Sequence, residues 1–500
     1  MKRACQTMKT LKQYEFWFIT GSQHLYGDET LQQVEANSKV MVAGIAEDEA
    51  IPATLIFKKM VTTPTEIKEV MEAANFDPNC AGVITWCHTF SPSKMWISGL
   101  NLLNKPWLHL HTQFNRTIPV ADIDMDFMNL NQAAHGDREH GFIGSRLRKN
   151  RKVVVGYWEN KSVREKIGGW MRSAIGASVS RNLNIVRFGD NMRQVAVTEG
   201  DKVEAEIKLG WSINTHPVGD LVVAMKGLDD FDAAVEEKVA EYQAKYDFAT
   251  DRLEQIYHQA HQQLGIQKIL KAEKAGAFTN TFEDLHGLEQ LSGLASQDLM
   301  ANGYGYAGEG DWKTAGLTHI MKQMAAGLSK GTSFMEDYTY DLTEGNELIL
   351  GAHMLEICPT IAQDKPRIEV HPLGIGGKAD PARLVFAAKT GPAIVASLVD
   401  MGGRLRLIVN DIECVEPFEM PKLPVARAMW KPMPNLEISA EAWILSGAAH
   451  HSVLSFDLTA THMRDWAEMM DIEFIHINKD TTIDNLKQNL FLADLAWKLK

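Results

Sequence analysis

The stretch EFWFITGSQHLYGDETLQQVEANSKVMVAGI, residues 15–45, indicates how the first third of the chain folds. Its apolar start predicts a strand over residues 15–20, GSQHLYG predicts a turn, and the residues from Glu29 onward have apolar positions at helical spacing. The alternation continues with a strand in ATLIFKKM, a threonine-capped helix in TPTEIKEVMEAANF, and strands in AGVITW and PWLHLHTQF. This order predicts a parallel, doubly wound α/β sheet whose ligands lie at the carboxyl ends of the strands.

Later segments have patterns of their own. A second α/β unit is predicted from LNIVRFGD, residues 183–190, and it includes long polar helices in FDAAVEEKVAEYQAKY and TDRLEQIYHQAHQQLGIQKILKAEK. From about Thr332 the apolar runs are typical of antiparallel strands, and Met401-Gly402-Gly403 predicts a hairpin turn. The last portion returns to a helix, a strand and a terminal helix. The sequence therefore predicts two α/β units followed by a largely antiparallel region.

Composition narrows the class of protein. The chain has 500 residues, 45% of them hydrophobic, which indicates a globular protein of two to three domains. A net charge of −13 argues against a nucleic-acid or anionic-membrane partner. No apolar run reaches spanning length, and the N-terminal residues, which have no long apolar region or small-residue cleavage site, are not expected to form a signal peptide. The five scattered cysteines suit buried free thiols in a reducing compartment. A cytoplasmic location is therefore expected.

The stretch GYGYAGEGDWKTA, residues 303–315, contains the strongest candidate for a chemical role. Glu309 stands between glycines and next to aromatic residues, where the backbone bends tightly and a ligand can approach closely. Glu336 in SFMEDY repeats the pattern, and His353 and His451 lie beyond it. We expect these two carboxylates and two imidazoles on short, glycine-punctuated turns, as a set suited to Mn²⁺, Co²⁺ or Zn²⁺.

Each member of this set also has an ordinary structural interpretation. His353 could be a hydrogen-bonded core residue, Glu336 could pair with a nearby cation, and the adjacent histidines at 450 and 451 could cap a turn. Because the residues are far apart in sequence, their spacing cannot join them into one site. The residues alone leave both interpretations open.

The same stretch matches the dinucleotide fingerprint GxGxxG. That fingerprint needs a strand before it, a helix after it, and an acid about 20 positions further on. The preceding LEQLSGLASQDLMAN instead has helical spacing, Gly303 is better explained as a helix end, and GLSKG offers no acid. LGIGGKAD resembles a phosphate loop only loosely, since Ala379 stands where Ser or Thr should follow Lys378. We therefore do not interpret either motif as a nucleotide site.

Two further segments have side chains suited to recognition. HTQFNR and NLNQAAHGDREHGFIG are rich in Gln, Asn, His and Arg, which either recognise a hydroxyl-rich ligand or form a polar subunit interface. FTNTFEDLHGL places Phe282 beside acids, either as the apolar wall of a polar pocket or as ordinary core. Both alternatives stay open at the level of sequence.

Many long motifs occur in an order that resembles the L-arabinose isomerase family. They run from about Glu15 to the terminal helix and include WFITGSQHLYG, LHTQFN, DMDFMNLNQAAHGDREHGFIG, RFGDNMR, TFEDLHGL, GYGYAGEGDWKTA, GTSFMEDYTY, HMLEICP, LGIGGKADPARLVF and AWILSGAAHH. The related L-fucose isomerases share the architecture, but their metal set includes an aspartate. The Glu, Glu, His, His set here favours the arabinose branch.

The resemblance implies an architecture and an activity. It implies two Rossmann-like doubly wound domains, over residues 1–183 and 184–331, and a C-terminal antiparallel β-barrel-like domain over residues 332–500. The implied reaction converts L-arabinose to L-ribulose, the first step of arabinose catabolism, with slower conversion of D-galactose to D-tagatose. The implied cofactor is one Mn²⁺ per subunit, with Co²⁺ as a substitute. The implied working form is a cytoplasmic homohexamer with active sites at subunit interfaces.

The resemblance also assigns roles to residues of this chain. Its metal ligands map to Glu309, Glu336, His353 and His451, with His450 as the alternative to His451. Glu309 and Glu336 are also the implied catalytic pair, one moving the C2 proton and the other the oxygen proton, and the sequence does not say which. The implied substrate contacts are Gln23, Leu25, His135, Met192, Phe282, Phe334 and Ile375. His135 is expected to reach into the site of a neighbouring subunit.

The sequence departs from the family pattern at two places, and two other functions would fit the same residues. Asp137 stands where the family commonly has glycine, and the extension before Tyr14 is longer than usual. A metal-dependent lyase or hydrolase could use the same ligands but would change the mass of its substrate. A non-catalytic sugar-binding protein would not need Glu309 and Glu336 and would normally carry an export signal.

Overall fold

The computed structural model describes residues 10–226, 233–374 and 377–499. Within them the chain forms two compact units, which meet in sequence between Ser178 and Val179.

The first unit is built on one parallel sheet. Its strands are β1 (Glu15–Gly21), β2 (Thr54–Val61), β3 (Cys80–Cys87), β4 (Trp107–His111) and β5 (Lys152–Val155). Its helices are α1 (Gly27–Ala46), α2 (Pro64–Phe76), α3 (Ile97–Leu102), α4 (Met125–Leu130), α5 (Ala133–Arg146) and α6, which runs over Lys161–Ser180. The strand order is β2-β1-β3-β4-β5, and all pairings are parallel. The chain adds β2 on one side of β1 and then β3, β4 and β5 on the other side, as in a doubly wound sheet. The predicted parallel, doubly wound sheet is therefore confirmed.

Local sequence explains these elements. The central strand β3, CAGVITWC, is buried along its whole length, as expected for a parallel strand covered on both faces. The side chain of Thr63 accepts a hydrogen bond from the backbone N–H of Glu66 at 3.3 Å and so caps α2, as predicted. Trp17 and Trp107 lie in the main apolar cluster of this unit.

Asp137 is buried in the first unit, where it joins α5 to the ends of two strands. Its Oδ1 accepts from the backbone N–H of Cys87 at 3.3 Å and lies 2.9 Å from His109 Nε2. Its Oδ2 lies 2.8 Å from His111 Nδ1. The carboxylate is 1% exposed, so its hydrogen bonds come from these protein groups instead of from water.

Replacing Asp137 with alanine is expected to destabilise the first unit. The change leaves the buried imidazole of His109 and the partly buried one of His111 without their acceptor, and leaving a buried polar group unsatisfied costs about 1–3 kcal/mol. We would measure the urea midpoint by tryptophan fluorescence, with Arg138→Ala on an exposed position of the same helix as the control. Equal midpoints for the two variants would contradict this account.

The second unit begins with another parallel sheet. Its strands are β6 (Asn184–Phe188), β7 (Ser212–His216), β9 (Ala275–Asn280) and β10 (Gly305–Ala307), in the order β10-β9-β6-β7. The associated helices are α7 (Lys202–Leu209), α8 (Val218–Lys226), α9 (Ala233–Lys245), α10 (Leu253–Glu273), α11 (Gly293–Ala301) and α12 (Trp312–Met324). The chain adds β7 on one side of β6 and then β9 and β10 on the other side. The loops that follow β6 and β9 can therefore lie on either side of one ligand.

The glycine-rich stretch, residues 303–315, follows α11 and ends in the first turn of α12. Gly303, with φ +95°, follows the C-cap residue Asn302 of α11, and β10 begins at Gly305 within the motif. The interpretation of Gly303 as a helix end is therefore confirmed.

The rest of the second unit is a mixed, largely antiparallel sheet. Its strands are β11 (Thr332–Asp341), β12 (Leu348–Ala352), β15 (Gly391–Asp400), β16 (Leu405–Val415), β17 (Arg427–Pro432), β18 (His451–Ser455) and β19 (Glu473–Ile477). The order is β15-β18-β11-β12-β17-β16-β19, and β15 also pairs with β16. All these pairings are antiparallel except that of β16 with β19.

Smaller elements complete this unit. A three-stranded sheet joins β8 (Asp247–Phe248), β13 (Arg367–Val370) and β14 (Ala382–Val385). The remaining helices are α13 (Leu436–Leu445), α14 (Ala460–Met469) and α15 (Ile483–Lys498). The predicted hairpin turn is confirmed: the N–H of Met401 donates to the carbonyl of Arg404 at 2.9 Å, and Gly402 and Gly403 both have positive φ.

Four cysteines, Cys80, Cys87, Cys358 and Cys414, are buried free thiols, as predicted. Burial raises the pKa of the Cys80 and Cys414 thiols to about 12. Cys5 lies outside the described residues. Among the helices of the described ranges, none combines the length and the apolar character needed to cross a membrane.

Candidate active site

Glu309 follows β10 on a tight turn, as its flanking glycines predict. Its own φ is +60°, a conformation that costs a non-glycine residue on the order of 1–3 kcal/mol. A Cβ atom on Gly310 would lie 2.5 Å from the Asp190 carbonyl oxygen, and one on Gly308 would lie 3.0 Å from Cε1 of His353. The surrounding backbone therefore leaves no room for a side chain at position 310, and the His353 ring limits the room at position 308.

Glu336 and His451 lie in strands. Glu336 on β11 is directly opposite His451 on β18 and Ala352 on β12, and His353 comes immediately after β12. Directly opposed residues put their side chains on the same face of a sheet. The prediction that all four residues lie on glycine-punctuated turns was wrong for Glu336 and His451, because TSFMEDYTY is rich in β-branched and aromatic residues and forms a strand.

These side chains converge within the second unit. Nε2 of His353 lies 3.9 Å from Oε2 of Glu336, and Nε2 of His451 lies 3.9 Å from Oε2 of Glu309. Nε2 of His450 lies 3.2 Å from the same Glu309 oxygen. Ligand atoms of Glu309, His450 and His451 all lie within 4.8 Å of one another, close enough to hold a metal ion.

Two buried carboxylates orient the imidazoles. Nδ1 of His451 lies 3.1 Å from Oδ2 of Asp311, and Nδ1 of His353 lies 2.6 Å from Oε2 of Glu356. An imidazole that donates from Nδ1 presents an unprotonated Nε2, which is the form that binds a metal. Nε2 of His451 is buried and has no hydrogen-bond partner among the described residues. The donor set and this unpaired nitrogen therefore fit a divalent metal ion.

Asp311 is itself held by several groups. It caps α12 by accepting from the backbone N–H of Thr314 at 3.2 Å and from its hydroxyl at 2.7 Å, and the Lys313 ammonium lies 3.4 Å away. Burial raises the pKa of Asp311, but Lys313 and His451 outweigh that effect and hold the pKa well below its usual range. The carboxylate thus stays charged and available as an acceptor for His451.

Glu356 has a comparable set of partners around His353. It accepts from the Tyr306 hydroxyl at 3.3 Å and from the backbone N–H of Leu355 at 3.0 Å. Sequence analysis assigned no role to Asp311 or Glu356. The available signals were an acid two residues after Glu309 and an acid three residues after His353 in HMLEICP.

Replacing Asp311 with asparagine is expected to weaken metal binding by about 10–100-fold, the usual effect of losing an outer carboxylate partner. The reason is that a neutral amide no longer favours the His451 form that donates from Nδ1. The measurement is titration of chelator-stripped protein with Mn²⁺. Asp201→Asn is the matched control, since Asp201 caps α7 by accepting from the backbone N–H groups of Val203 and Glu204 and contacts no imidazole among the described residues. Wild-type affinity in Asp311→Asn would contradict the orienting role.

Nearby charges shift the pKa values of three residues in the cluster. Burial raises the pKa of Glu309, but a hydrogen bond from His450 and the charges of three nearby imidazoles hold it below its usual value. Burial lowers the pKa of His353, but Glu356, Glu336 and Glu309 together raise it above its usual value. The hydrogen bond with Glu309 raises the pKa of His450 despite its burial. Glu309 is therefore ionised at neutral pH.

Apolar residues predicted as substrate contacts surround the cluster. Phe334 is fully buried, with ring centroids 4.9 Å from His353 and 5.0 Å from His451, so it packs behind the imidazoles. Phe282 is half-buried and lines a cavity with Glu309 and His353. The backbone N–H of Met192 donates to the Glu309 carbonyl at 2.9 Å. Ile375 lies outside the described residues.

The other three predicted contacts belong to the first unit, at the carboxyl edge of its sheet. Gln23 and Leu25 follow β1, and Leu25 is 83% exposed. His135 is exposed in the first turn of α5, with its ring 4.6 Å from that of Phe90. The loops after β1 and β3 are joined by a 2.7 Å hydrogen bond between the hydroxyls of Ser22 and Thr89.

Comparison with known proteins covers almost the whole chain. Three family models match: L-arabinose isomerase N-terminal domain over residues 10–182, central domain over 184–327, and C-terminal domain over 331–473. An L-arabinose isomerase of Geobacillus stearothermophilus is 57% identical, covering 98% of this chain and all of that protein. Those of Thermotoga petrophila and Bacillus licheniformis are 56% and 54% identical, each covering 98% of this chain and 99% of the relative.

Proposed function

Since this chain belongs to the L-arabinose isomerase family, we propose that it converts L-arabinose to L-ribulose as the first step of arabinose catabolism. The observation that carries this proposal is the convergence of Glu309 and Glu336 with two imidazoles whose outer nitrogens are held by carboxylates. Aldose–ketose isomerisation needs two proton-transfer groups at adjacent carbons and oxygens, and this cluster supplies two carboxylates in one small volume.

We propose Glu309, Glu336, His353 and His451 as the metal ligands, with one Mn²⁺ per subunit and Co²⁺ as a substitute. Carboxylate and imidazole donors suit such ions. We propose that His450 is a hydrogen-bond partner of Glu309 and not a ligand, because its Nε2 is within hydrogen-bond distance of Glu309 and its Nδ1 has no orienting carboxylate among the described residues. When bound, the ion supplies a Lewis acid that polarises the sugar carbonyl and orients its neighbouring hydroxyl.

The carboxylates move the protons. One of Glu309 and Glu336 removes the proton from C2, the C2 electrons form the C1–C2 double bond of a cis-enediol, and the C1 oxygen gains a proton. Return of the first proton to C1 and loss of the O2 proton give the ketose, so no atom is gained or lost. The low pKa of Glu309 keeps it able to accept a proton at neutral pH.

Further parts of the proposal concern substrate recognition and assembly. We propose that Gln23, Leu25, Met192, Phe282, Phe334 and Ile375 contact the sugar, and that His135 reaches the site of a neighbouring subunit in a cytoplasmic homohexamer. The exposure of Leu25 and His135 leaves both side chains accessible to a second subunit. Slower conversion of D-galactose to D-tagatose is part of the same proposal.

We also propose the three-domain division at residues 1–183, 184–331 and 332–500. The separate parallel sheets before and after residue 183 support the first boundary. The change from parallel to antiparallel pairing at β11 supports the second. The pairing of β15 with β16, which links the two ends of a six-strand series, supports a barrel-like C-terminal domain.

The test is to strip the protein with chelator and assay L-arabinose with and without Mn²⁺. Metal-restored formation of L-ribulose, with unchanged mass, is the expected result. A product of different mass would favour a lyase or hydrolase. Sugar binding without any ketose from pentoses or hexoses, with any divalent metal, would favour a binding protein.

A further inference from the structure

Three loops meet at the carboxyl edge of the β10-β9-β6-β7 sheet, beside the point where its strand order reverses. The first loop, residues 189–193, follows β6 and carries Met192. The second, residues 281–284, follows β9 and carries Phe282. The third, residues 308–311, follows β10 and carries Glu309. In doubly wound sheets this is where ligands bind.

Arg193 joins the first loop to the second. Its backbone N–H donates to Oε2 of Glu283 at 2.8 Å, and its Nη1 donates to the same oxygen at 3.1 Å. Its Nη2 donates to Oδ1 of Asp284 at 2.6 Å, and the other Asp284 oxygen accepts from the backbone N–H of Asp190 at 2.9 Å. Four hydrogen bonds therefore cross between the loops, and all of them end on two adjacent carboxylates.

The first loop is fixed on its other side to the residues around Glu309. The N–H of Met192 donates to the Glu309 carbonyl at 2.9 Å, and the Asn191 side-chain amide donates to the Gly310 carbonyl at 3.1 Å. The first loop thus keeps its position relative to Glu309. The position of Phe282 relative to Met192 then depends on the four bonds between the first and second loops, two of which are made by the Arg193 side chain.

We propose that Arg193 is a positioning residue for the sugar, which latches the Phe282 loop to the Met192 loop and so sets the width of the pocket beside Glu309 and His353. The inference rests on the proposed isomerase function. Arg193 itself is exposed and contacts none of the proposed metal ligands through its side chain. Its loss should therefore affect sugar binding and discrimination between sugars, and leave metal binding and proton transfer intact.

Arg193 should constrain the two loops more than an ordinary surface ion pair would, because its side chain donates to two carboxylates at once. Isolated exposed pairs contribute little, whereas a guanidinium that donates from two nitrogens to two carboxylates constrains the direction of both bonds. Lysine cannot reproduce this arrangement, since its ammonium is a single point of charge. A hexose such as D-galactose is larger than L-arabinose by one hydroxymethyl group, so a loosened pocket should discriminate less against it.

The test compares Arg193→Met with wild type on both sugars. The expected result is a rise in KM for L-arabinose of about fivefold or more with kcat nearly unchanged, the pattern for lost ground-state binding. The ratio of kcat/KM for L-arabinose to that for D-galactose should fall. Mn²⁺ affinity and thermal midpoint should stay at wild-type values. The KM and the sugar ratio of Arg193→Lys should lie between those of wild type and Arg193→Met.

Two further variants make the test specific. Arg367→Met is the matched control, because Arg367 is similarly exposed and makes two bonds to Glu369 on β13. Glu283→Gln combined with Arg193→Met should raise KM by less than the product of the two single effects, as expected for partners in one interaction.

The outcomes separate the latch from the function on which it rests. Wild-type KM and sugar ratio in Arg193→Met, or a fall in kcat at constant KM, would overturn the latch. A wild-type protein that forms no ketose from either sugar would instead reject the proposed function before any variant is compared.

Discussion

Replacing Glu309 or Glu336 with glutamine is expected to lower kcat for L-ribulose formation by about 10²–10⁴-fold, the range for loss of a proton-transfer group. Glutamine keeps the size of the side chain and removes its charge, so the lost function is the carboxylate itself. The effect should be large for Glu309, whose backbone conformation and glycine neighbours place one carboxylate at the centre of the cluster.

The measurement should determine kcat and bound metal on the same preparations. A variant that binds Mn²⁺ normally but does not turn over identifies the proton-transfer carboxylate, and one that loses the ion identifies a ligand. Glu344→Gln is the control, since Glu344 is exposed between β11 and β12. More than a tenth of wild-type kcat in Glu309→Gln or Glu336→Gln would reject the assignment for that residue.

Replacing His451 with glutamine is expected to reduce Mn²⁺ affinity by more than about 100-fold, beyond the effect of removing an outer partner. Its Nε2 is buried and unpaired among the described residues, while its Nδ1 is held by Asp311. His450→Gln should change affinity far less, because its Nε2 lies at hydrogen-bond distance from Glu309 and its imidazole is partly exposed. This contrast decides between two adjacent histidines that sequence alone left as alternatives.

The experiment is titration of the two chelator-stripped variants with Mn²⁺, followed by metal analysis of the purified proteins. Circular dichroism of both should match wild type, so that lost affinity is not lost structure. Tighter Mn²⁺ binding by His451→Gln than by His450→Gln would show that the two histidines have been assigned in the wrong order.

Local patterns predicted most of the fold. The strand at β1, the Thr63 cap, the end of α11 at Gly303 and the turn at Met401–Gly403 each depend on a few neighbouring residues, and each is confirmed. The pairing of β15 with both β16 and β18 could not be predicted, because register between distant strands depends on packing across the whole unit.

The candidate site was predicted only in part, because some of its contacts join residues that are distant in sequence. Glycines around Glu309 are a local signal, whereas the contact of His451 with Asp311 joins residues 140 positions apart. Asp137 is a second example. Its departure from the family pattern is visible in the sequence, but its position between His109 and His111 follows only from the fold.

The register that places Glu336 opposite His451 has a consequence for how long the protein lasts in use. An ion held by Glu309, Glu336, His353 and His451 would act as a cross-link among four segments distant in sequence, and it binds the folded state preferentially. Such binding stabilises the folded state by about 2.7 kcal/mol when the free ion is at 100 times its dissociation constant. The heat tolerance and storage life of the protein should therefore depend on the free Mn²⁺ of the medium, and chelating buffers should shorten both.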